Sequence, residues 1–469
     1  MRYWKSVQSL LVLIPLLLLI SCGGSMSSGN NSTQPASTSG SIFTVGTDAP
    51  LPSLVSCTLT VTGVTVNNGS TDVSVFNGSQ DIDFAKLSGL HQLLDLMSVP
   101  TGTYGSATVT ISAAQIGYLD TSVTPPTVTT ITGNLSSMTA MATFPKPFVL
   151  NSGDLVGLRM EFDLRKSLAV DGNGQVTGDI TPTFHMNLLN ADNAQVSVDD
   201  FPVGVVGVQN STTFTAQGPH GRQWTVQSDN NTIMDDPSEP ISSYTTDTIV
   251  LVSGQLDPVT KDIDASELQV LSNSKFYLGG LLTYVNPPAP AAATTADLYV
   301  RDELPSINGI APGDITTLTL NGSEIYRVGH IDLPITQLIF NNSAMAAGQR
   351  VGVGGDLTTA NGTSTLTVKR VILRRQGQVG TLTGNVVINH GNNGTFQIND
   401  NWTDGVLLPQ PLTVMTTNFT NFIDLSGLSA LQGQSGLTIR VVGFILFDTA
   451  TSQPVFVARS VEVLNANSQ

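Results

Sequence analysis

Ile249-Val250-Leu251-Val252-Ser253-Gly254-Gln255-Leu256 is a short apolar run with a glycine near its end, and the chain returns to it twice. Arg350-Val351-Gly352-Val353-Gly354-Gly355-Asp356-Leu357 is one counterpart, and Ile439-Arg440-Val441-Val442-Gly443-Phe444-Ile445 is the other. Each leads through a turn into a second run that ends alike: Leu268-Gln269-Val270-Leu271, Arg370-Val371-Ile372-Leu373 and Val461-Glu462-Val463-Leu464. Each is preceded by a glycine-rich opening strand, near Gly204-Val205-Val206-Gly207, Gly279-Gly280-Leu281-Leu282 and Gly380-Thr381-Leu382-Thr383-Gly384. Short runs of β-branched residues bounded by turn signals read as strands. Self-similarity at this spacing marks a repeated unit. Three small β-barrel-like units are therefore expected, over 201–275, 276–375 and 376–469. The shared glycine has a physical sense, because a barrel strand bends sharply and a residue without Cβ permits the bulge.

Composition points the same way. Charged residues make up 12% of the 469 positions and hydrophobic residues 40%, with 44 glycines. Thr and Val suit a half-buried pleated surface, and Gly and Asn suit its turns. The expected fold class is all-β, an antiparallel β-sandwich followed by the repeats, and the length calls for three or four domains. The formal charge is −16. Phosphate contact needs a basic patch, so no nucleic-acid partner is expected. The acids are scattered and suit solubility better than a cation site.

Upstream of the repeats the alternation is clear. Val55, Cys57, Leu59 and Val61 alternate with Ser56, Thr58 and Thr60, and Gly63 interrupts the run as a bulge would. Ala107, Val109 and Ile111 form a second apolar face. Val156, Leu158, Met160 and Phe162 form a third, with Arg159, Glu161 and Asp163 pointing outward. Asp171-Gly172-Asn173-Gly174 supplies a hairpin turn. One helix-like patch stands out, Phe84 to Met97, where Leu87, Leu90, Leu94 and Met97 recur at helical spacing. Three short motifs then occur in order: Thr47-Asp48-Ala49-Pro50, Val99-Pro100-Thr101-Gly102-Thr103-Tyr104 and Glu161-Phe162-Asp163-Leu164-Arg165-Lys166-Ser167. Together they resemble bacterial domain of unknown function 4382, over about residues 41–190. The resemblance implies a transthyretin-like or immunoglobulin-like sandwich. It implies no catalytic residue, since none is known for that family. The three repeats are similar to domain of unknown function 5666, small barrels resembling the oligonucleotide/oligosaccharide-binding fold. That similarity carries architecture rather than chemistry.

The N-terminus carries an address. Arg2 and Lys5 precede an apolar stretch from Leu10 to Ile20, and the composition turns to Gly, Ser, Asn and Thr after Cys22. This is the build of a secretory signal, residues 1–21. The apolar run is about half the roughly 20 residues that span a bilayer, which disfavours a transmembrane helix. Leu19-Ile20-Ser21-Cys22 resembles the lipobox of bacterial lipoproteins. That family's pattern implies lipidation of Cys22, palmitate included, as the first mature residue. Residues 22–40 then form a lipidated flexible tether. A lipid anchor in the cell envelope is implied, with the outer membrane favoured because Gly23 rather than Asp follows the cysteine. Cys57 is left with no second cysteine to pair with, and is expected to pack as a small apolar side chain.

Motifs for chemistry are sparse. His91, His185, His220, His330 and His390 are never at metal-ligand spacing, and no Walker loop, H-E-x-x-H or G-x-S-x-G elbow occurs. Asp81-Ile82-Asp83, Asp199-Asp200 and Asp171-Gly172-Asn173-Gly174 could hold calcium or act as acid and base. A solvated edge, a polar linker and a turn are the readings preferred for them. No metal, cofactor or catalytic residue is expected. Trp224, Tyr244, Tyr277, Tyr284, Tyr299, Tyr326 and Trp402 could form a sugar-stacking surface, with Trp224 and Trp402 as its ligand-binding residues, although core packing is the commoner use of such rings. The sequence thus points to a non-enzymatic cell-envelope lipoprotein for interaction or scaffolding, with a protein or glycan partner. A glycan-binding module is the alternative.

Overall fold

The computed structural model describes residues 39–464, apart from 49–53, 87–91, 172–175, 190–195, 219–222, 247, 272–273, 329–336, 361–362, 400–406 and 424. All of them fall within one unit, Thr38–Gln469. The molecule is all-β. Its N-terminal part holds β1 (Ser39–Asp48), β2 (Leu54–Asn67), β3 (Asp72–Asp83), β4 (Gln92–Pro100), β5 (Gly102–Asp120) and β6 (Thr127–Thr132). It continues with β7 (Asn134–Leu135), β8 (Thr139–Leu150), β9 (Leu155–Phe162), β10 (Leu168–Val170), β11 (Val176–Ile180) and β12 (Phe184–Leu188).

Alternation in the sequence becomes alternation in burial. Cys57, Leu59 and Val61 of β2 are fully buried, as are Val109 of β5 and Leu158, Met160 and Phe162 of β9. One large sheet runs β12-β9-β1-β4 and the other β3-β2-β5-β6, with β8 also paired to β5, and a small third sheet runs β10-β11-β7. Residues of both large sheets share one core. The ladders are antiparallel except β1 on β9 and the short β7 on β11. Both ladders of β2 shift register between Val61 and Gly63. The helix expected over Phe84 to Met97 does not form. Phe84–Lys86 is a single 3-10 turn and β4 begins at Gln92, while Leu87 and Leu90 lie outside the described residues. Leu94 packs into the sandwich core while Leu96 packs against that of the first barrel, because the β1–β4 ladder shifts register between Thr44 and Val45, opposite Leu94. A strand buried on both faces loses its period-2 signature and imitates helical spacing. Among the described residues the one α-helical turn, α1 (Leu164–Ser167), starts where the Asp163 carboxylate accepts the Lys166 amide at 3.0 Å.

Three further sheets follow. The first holds β13 (Val196–Val208), β14 (Thr213–Gln217), β15 (Gln223–Gln227), β16 (Ile233–Met234), β17 (Ile249–Leu256) and β18 (Asp262–Leu271). The next stretch has β19 (Phe276–Asn286), β20 (Thr295–Leu304), β21 (Ile315–Thr319), β22 (Ile325–Val328), β23 (Leu338–Ile339), β24 (Arg350–Ala360) and β25 (Thr363–Leu373). The last has β26 (Gln376–His390), β27 (Asn393–Asn399), β28 (Leu412–Thr416), β29 (Asn421–Ile423), β30 (Thr438–Asp448) and β31 (Gln453–Leu464).

One connectivity underlies all three. In the first, β13, β14, β15, β18 and β17 pair in that order and β17 returns to β13, which closes a five-stranded barrel. In the third, β26, β27, β28, β31 and β30 close in the same way. The middle copy keeps the order β21-β20-β19-β24-β25, with no pairing of β21 to β25 among the described residues. Each copy adds a short parallel strand on its last long strand: β16, β22 and β29. This is the connectivity of a five-stranded Greek-key barrel.

The repeated glycine sits at one bend in every copy. Register shifts fall at Ser253/Gly254, Gly354/Gly355 and Val442/Gly443. A Cβ there would collide with the carbonyl oxygen of Asp264, Thr367 or Val457 on the neighbouring strand. None of the three has a left-handed backbone. Close approach, rather than backbone freedom, is therefore what requires glycine. Gly443→Ala should lower stability by about 1–3 kcal/mol, because the obstacle is backbone and cannot swing away. Gly207→Ala, at a bulge with open space around it, should change it far less. Equal melting temperatures for the two variants in thermal denaturation would contradict the close-approach explanation.

Candidate functional site

A cluster of buried ionisable side chains lies where the first and middle barrel units meet. Arg374 follows the last residue of β25, Tyr277 comes from β19, Asp302 from β20, Arg350 from β24 and Asp200 from β13. Asp200 stands at a register shift between Val198 and Phe201 and takes a left-handed backbone, φ +49°. Its amide donates to the Ser253 hydroxyl at 2.9 Å. The Arg374 guanidinium then collects the surrounding oxygens. Nη2 donates to the Asp200 carbonyl at 2.6 Å, Nη1 donates to the Tyr277 hydroxyl, and Nε lies 3.6 Å from the Asp200 carboxylate. The Asp302 carboxylate stands 3.9 Å from Nη1, and the guanidinium carbon is 5.8 Å from the Tyr277 ring centroid. That last contact is a cation–π arrangement.

Burial controls the electrostatics. The Arg374 side chain is 3% exposed and Tyr277 is fully buried. Loss of solvent pushes the Tyr277 phenol well above its ordinary range. Arg350 is lowered to about 10, first by burial and then by the charge of Arg374, so it stays protonated at neutral pH. Arg374 thus lies between two largely buried carboxylates, and the Arg350 guanidinium nearby donates to the Arg375 carbonyl at 3.1 Å. The cluster fixes one unit against the next.

Other arginines make similar joints. Arg301 of the middle unit donates to the Val55 and Ala85 carbonyls of the sandwich, at 2.9 and 3.5 Å. Arg370 donates to the Val270 carbonyl of the first barrel. Arg165 of the sandwich donates to Val379 of the third barrel at 3.2 Å, and Arg440 returns the contact by pairing with Glu161 at 3.1 Å. Apolar surfaces reinforce these contacts. Phe43 and Val45 of β1 enter the core of the first barrel, and Phe444 and Leu446 of β30 enter that of the middle unit. The outward face expected for Glu161 is therefore covered by the third barrel.

The sequence-based candidates fall as follows. Cys22 and Trp402 lie outside the described residues, as do His91, His220, His330 and the turn 172–174. Trp224 is 8% exposed, inside the first barrel's core and edge-on to Phe201 at 6.3 Å between centroids. Tyr244, Tyr277 and Tyr299 are buried as well. These rings fill the interior, and Trp224 takes the core placement that is the commoner use of such rings. Asp83 accepts the Cys57 amide and Asp81 the Thr60 hydroxyl, which ties both to the sheet. His185 meets the Asp163 carboxylate at 3.1 Å. Asp200, read as part of a polar linker, is instead a buried strand residue. Its partner Arg374 is 174 positions away, so only the apolar setting, Val198-Asp199-Asp200-Phe201-Pro202-Val203, could have flagged it. Among the described residues, no group of three His, Cys, Asp or Glu could hold a metal, and no helix is long and apolar enough to cross a membrane.

The geometry defines an all-β body, a sandwich with barrel-like repeats, whose buried charges serve its joints. Residues 42–177, from β1 into β11, match the family model of a domain of unknown function (DUF4382). No curated protein matches the chain.

Arg374→Met should cost about 3–5 kcal/mol, the usual penalty for leaving buried carboxylates unpaired. Arg374→Lys should recover little of it, since an ammonium cannot reach the same set of acceptors. Chemical denaturation measures both, and full recovery by Lys would show that charge alone suffices. Alkaline titration is a second check. Burial raises Tyr104, Tyr244, Tyr277, Tyr299 and Tyr326. A raised acid stays neutral when folded, so its stabilisation holds below the ordinary tyrosine range near 10 and is lost as pH climbs beyond it. Phenolate absorbance from these rings should appear together with unfolding rather than before it.

Proposed function

We propose that the chain is a non-enzymatic lipoprotein of the bacterial cell envelope that presents a jointed β-body for interaction or scaffolding. In this reading Cys22 carries the lipid, residues 22–40 are the tether, and the three barrel-like units are relatives of domain of unknown function 5666. The observation that carries it is the use made of reactive side chains. The buried arginines, aspartates and tyrosines of the ionisable cluster join units to one another, and most of the candidate stacking rings fill cores. What remains outside is a set of sheet surfaces, which suits contact better than turnover. The lipobox-like Leu19-Ile20-Ser21-Cys22 supports the lipid anchor, and Gly23 supports an outer-membrane destination. The partner expected is a protein of the envelope.

Two measurements test this. Cys22→Ser should release the protein from the membrane fraction, and retention equal to wild type would sink the lipid anchor. Crosslinking on intact cells, followed by mass spectrometry, should recover a specific protein partner. Recovery of abundant bystanders alone would remove the scaffolding role.

A further inference from the structure

The chain carries 10 methionines, and two of them are placed unlike the other described ones. Strand β8 sends Ala140, Ala142, Phe144, Phe148 and Leu150 into the sandwich core. Its opposite face is bare. Met141 is 74% exposed there, and Met138, just before the strand, is 55% exposed. Elsewhere Met160, Met186 and Met345 are buried, and Met97, Met234 and Met415 are half-buried. The surroundings of Met141 are hydroxyl-bearing rather than apolar. It is in register with Thr108 of β5, which is in register with Thr65 of β2. The backbone beneath is fixed, since the Met138 carbonyl accepts the Ile111 amide at 2.8 Å. Two thioethers are thus held on a firm sheet surface with little packing to lose.

We propose that Met138 and Met141 are an oxidation site, taking up two-electron oxidants of the hydroperoxide class ahead of the buried sulfurs. A lone pair of the thioether sulfur attacks one peroxide oxygen, an S–O bond forms and the O–O bond breaks. With hydrogen peroxide the departing hydroxide takes the proton of the transferred OH and leaves as water. Sulfur gives up two electrons and the peroxide gains them, leaving methionine sulfoxide. Sulfoxide in a core is disruptive because it turns an apolar group polar. At positions 138 and 141 the new oxygen meets solvent, so the sandwich has no reason to loosen. Met160 and Met186, and Cys57 beside them in the same core, are shielded by that packing.

The full chain would be exposed to graded hydrogen peroxide, then mapped by peptide mass spectrometry with its melting temperature followed in parallel. The peptides bearing Met138 and Met141 should lose their unmodified form first, with no fall in melting temperature. Met160, Met186 and Met345 should react only after unfolding in denaturant. A variant with Met138→Leu and Met141→Leu should keep the wild-type melting temperature, and its fast peroxide consumption should fall by the share of those two sulfurs, with Met26 of the proposed tether left to react. Oxidation of the buried methionines at the same rate in the folded chain, or survival of Met138 and Met141, would overturn the proposal. So would a fall in melting temperature that accompanies the first two sulfoxides.

Discussion

The Arg374 guanidinium ties the first barrel unit to the middle one. It reaches a backbone carbonyl and a carboxylate of Asp200, the Tyr277 hydroxyl and the field of Asp302. Burying a charge costs several kcal/mol, and attraction to one partner seldom offsets that. Several oxygens arranged around a planar fork of five donors can. That explains why arginine rather than lysine stands at these joints. The left-handed backbone at Asp200 belongs to the same economy of geometry, because it turns both a carbonyl and a carboxylate toward one cation.

The remaining joints follow the same logic with cheaper partners. Arg301, Arg370 and Arg165 donate to backbone carbonyls of another unit. A carbonyl acceptor brings no charge of its own to desolvate, yet it satisfies an N–H as a hydrogen bond must when buried. Shared apolar clusters supply the bulk of the association, with Phe43 in the first barrel and Phe444 in the middle unit. The polar contacts add direction that a non-directional hydrophobic contact lacks. The sandwich consequently touches every barrel unit, and the units do not hang as separate beads on a string.

Strands and repeats were legible in the sequence because they are local. Period-2 burial in β2 and β9 can be read from seven or eight residues, and the shared Gly254, Gly355 and Gly443 from alignment of the chain with itself. Two features defeated local reading. Phe84 to Met97 looked helical because a register shift at Leu94 breaks the alternation of β4, so that Leu94 and Leu96 serve different cores. Asp200 looked like a linker residue because its meaning depends on Arg374, far along the chain. Trp224 was ambiguous for a related reason, since the same ring can face a sugar or a barrel interior, and only closure of β15 against β18 decides which. Joints between units are set by pairs with no sequence proximity, and a single sequence holds no signal for such pairs.

Charges of both signs are buried in the body, and its outside stays acidic. The chain has 19 basic against 35 acidic residues, and arginines at joints 3–6% exposed cannot contribute to surface charge as solvated groups do. Asp200, Asp302, Glu324 and Asp448 are buried as well, so the exposed surface keeps about the acidity of the formal balance of −16. Anionic lipid headgroups would repel such a surface over about one Debye length, roughly 8 Å at physiological ionic strength. On the proposed lipid anchor, a flexible tether of this length averages about 20–25 Å. The reach of the tether exceeds the range of the repulsion. A shorter leader would press an acidic body against an anionic surface, and a longer one would dilute the effective concentration of the body near partners in the same membrane.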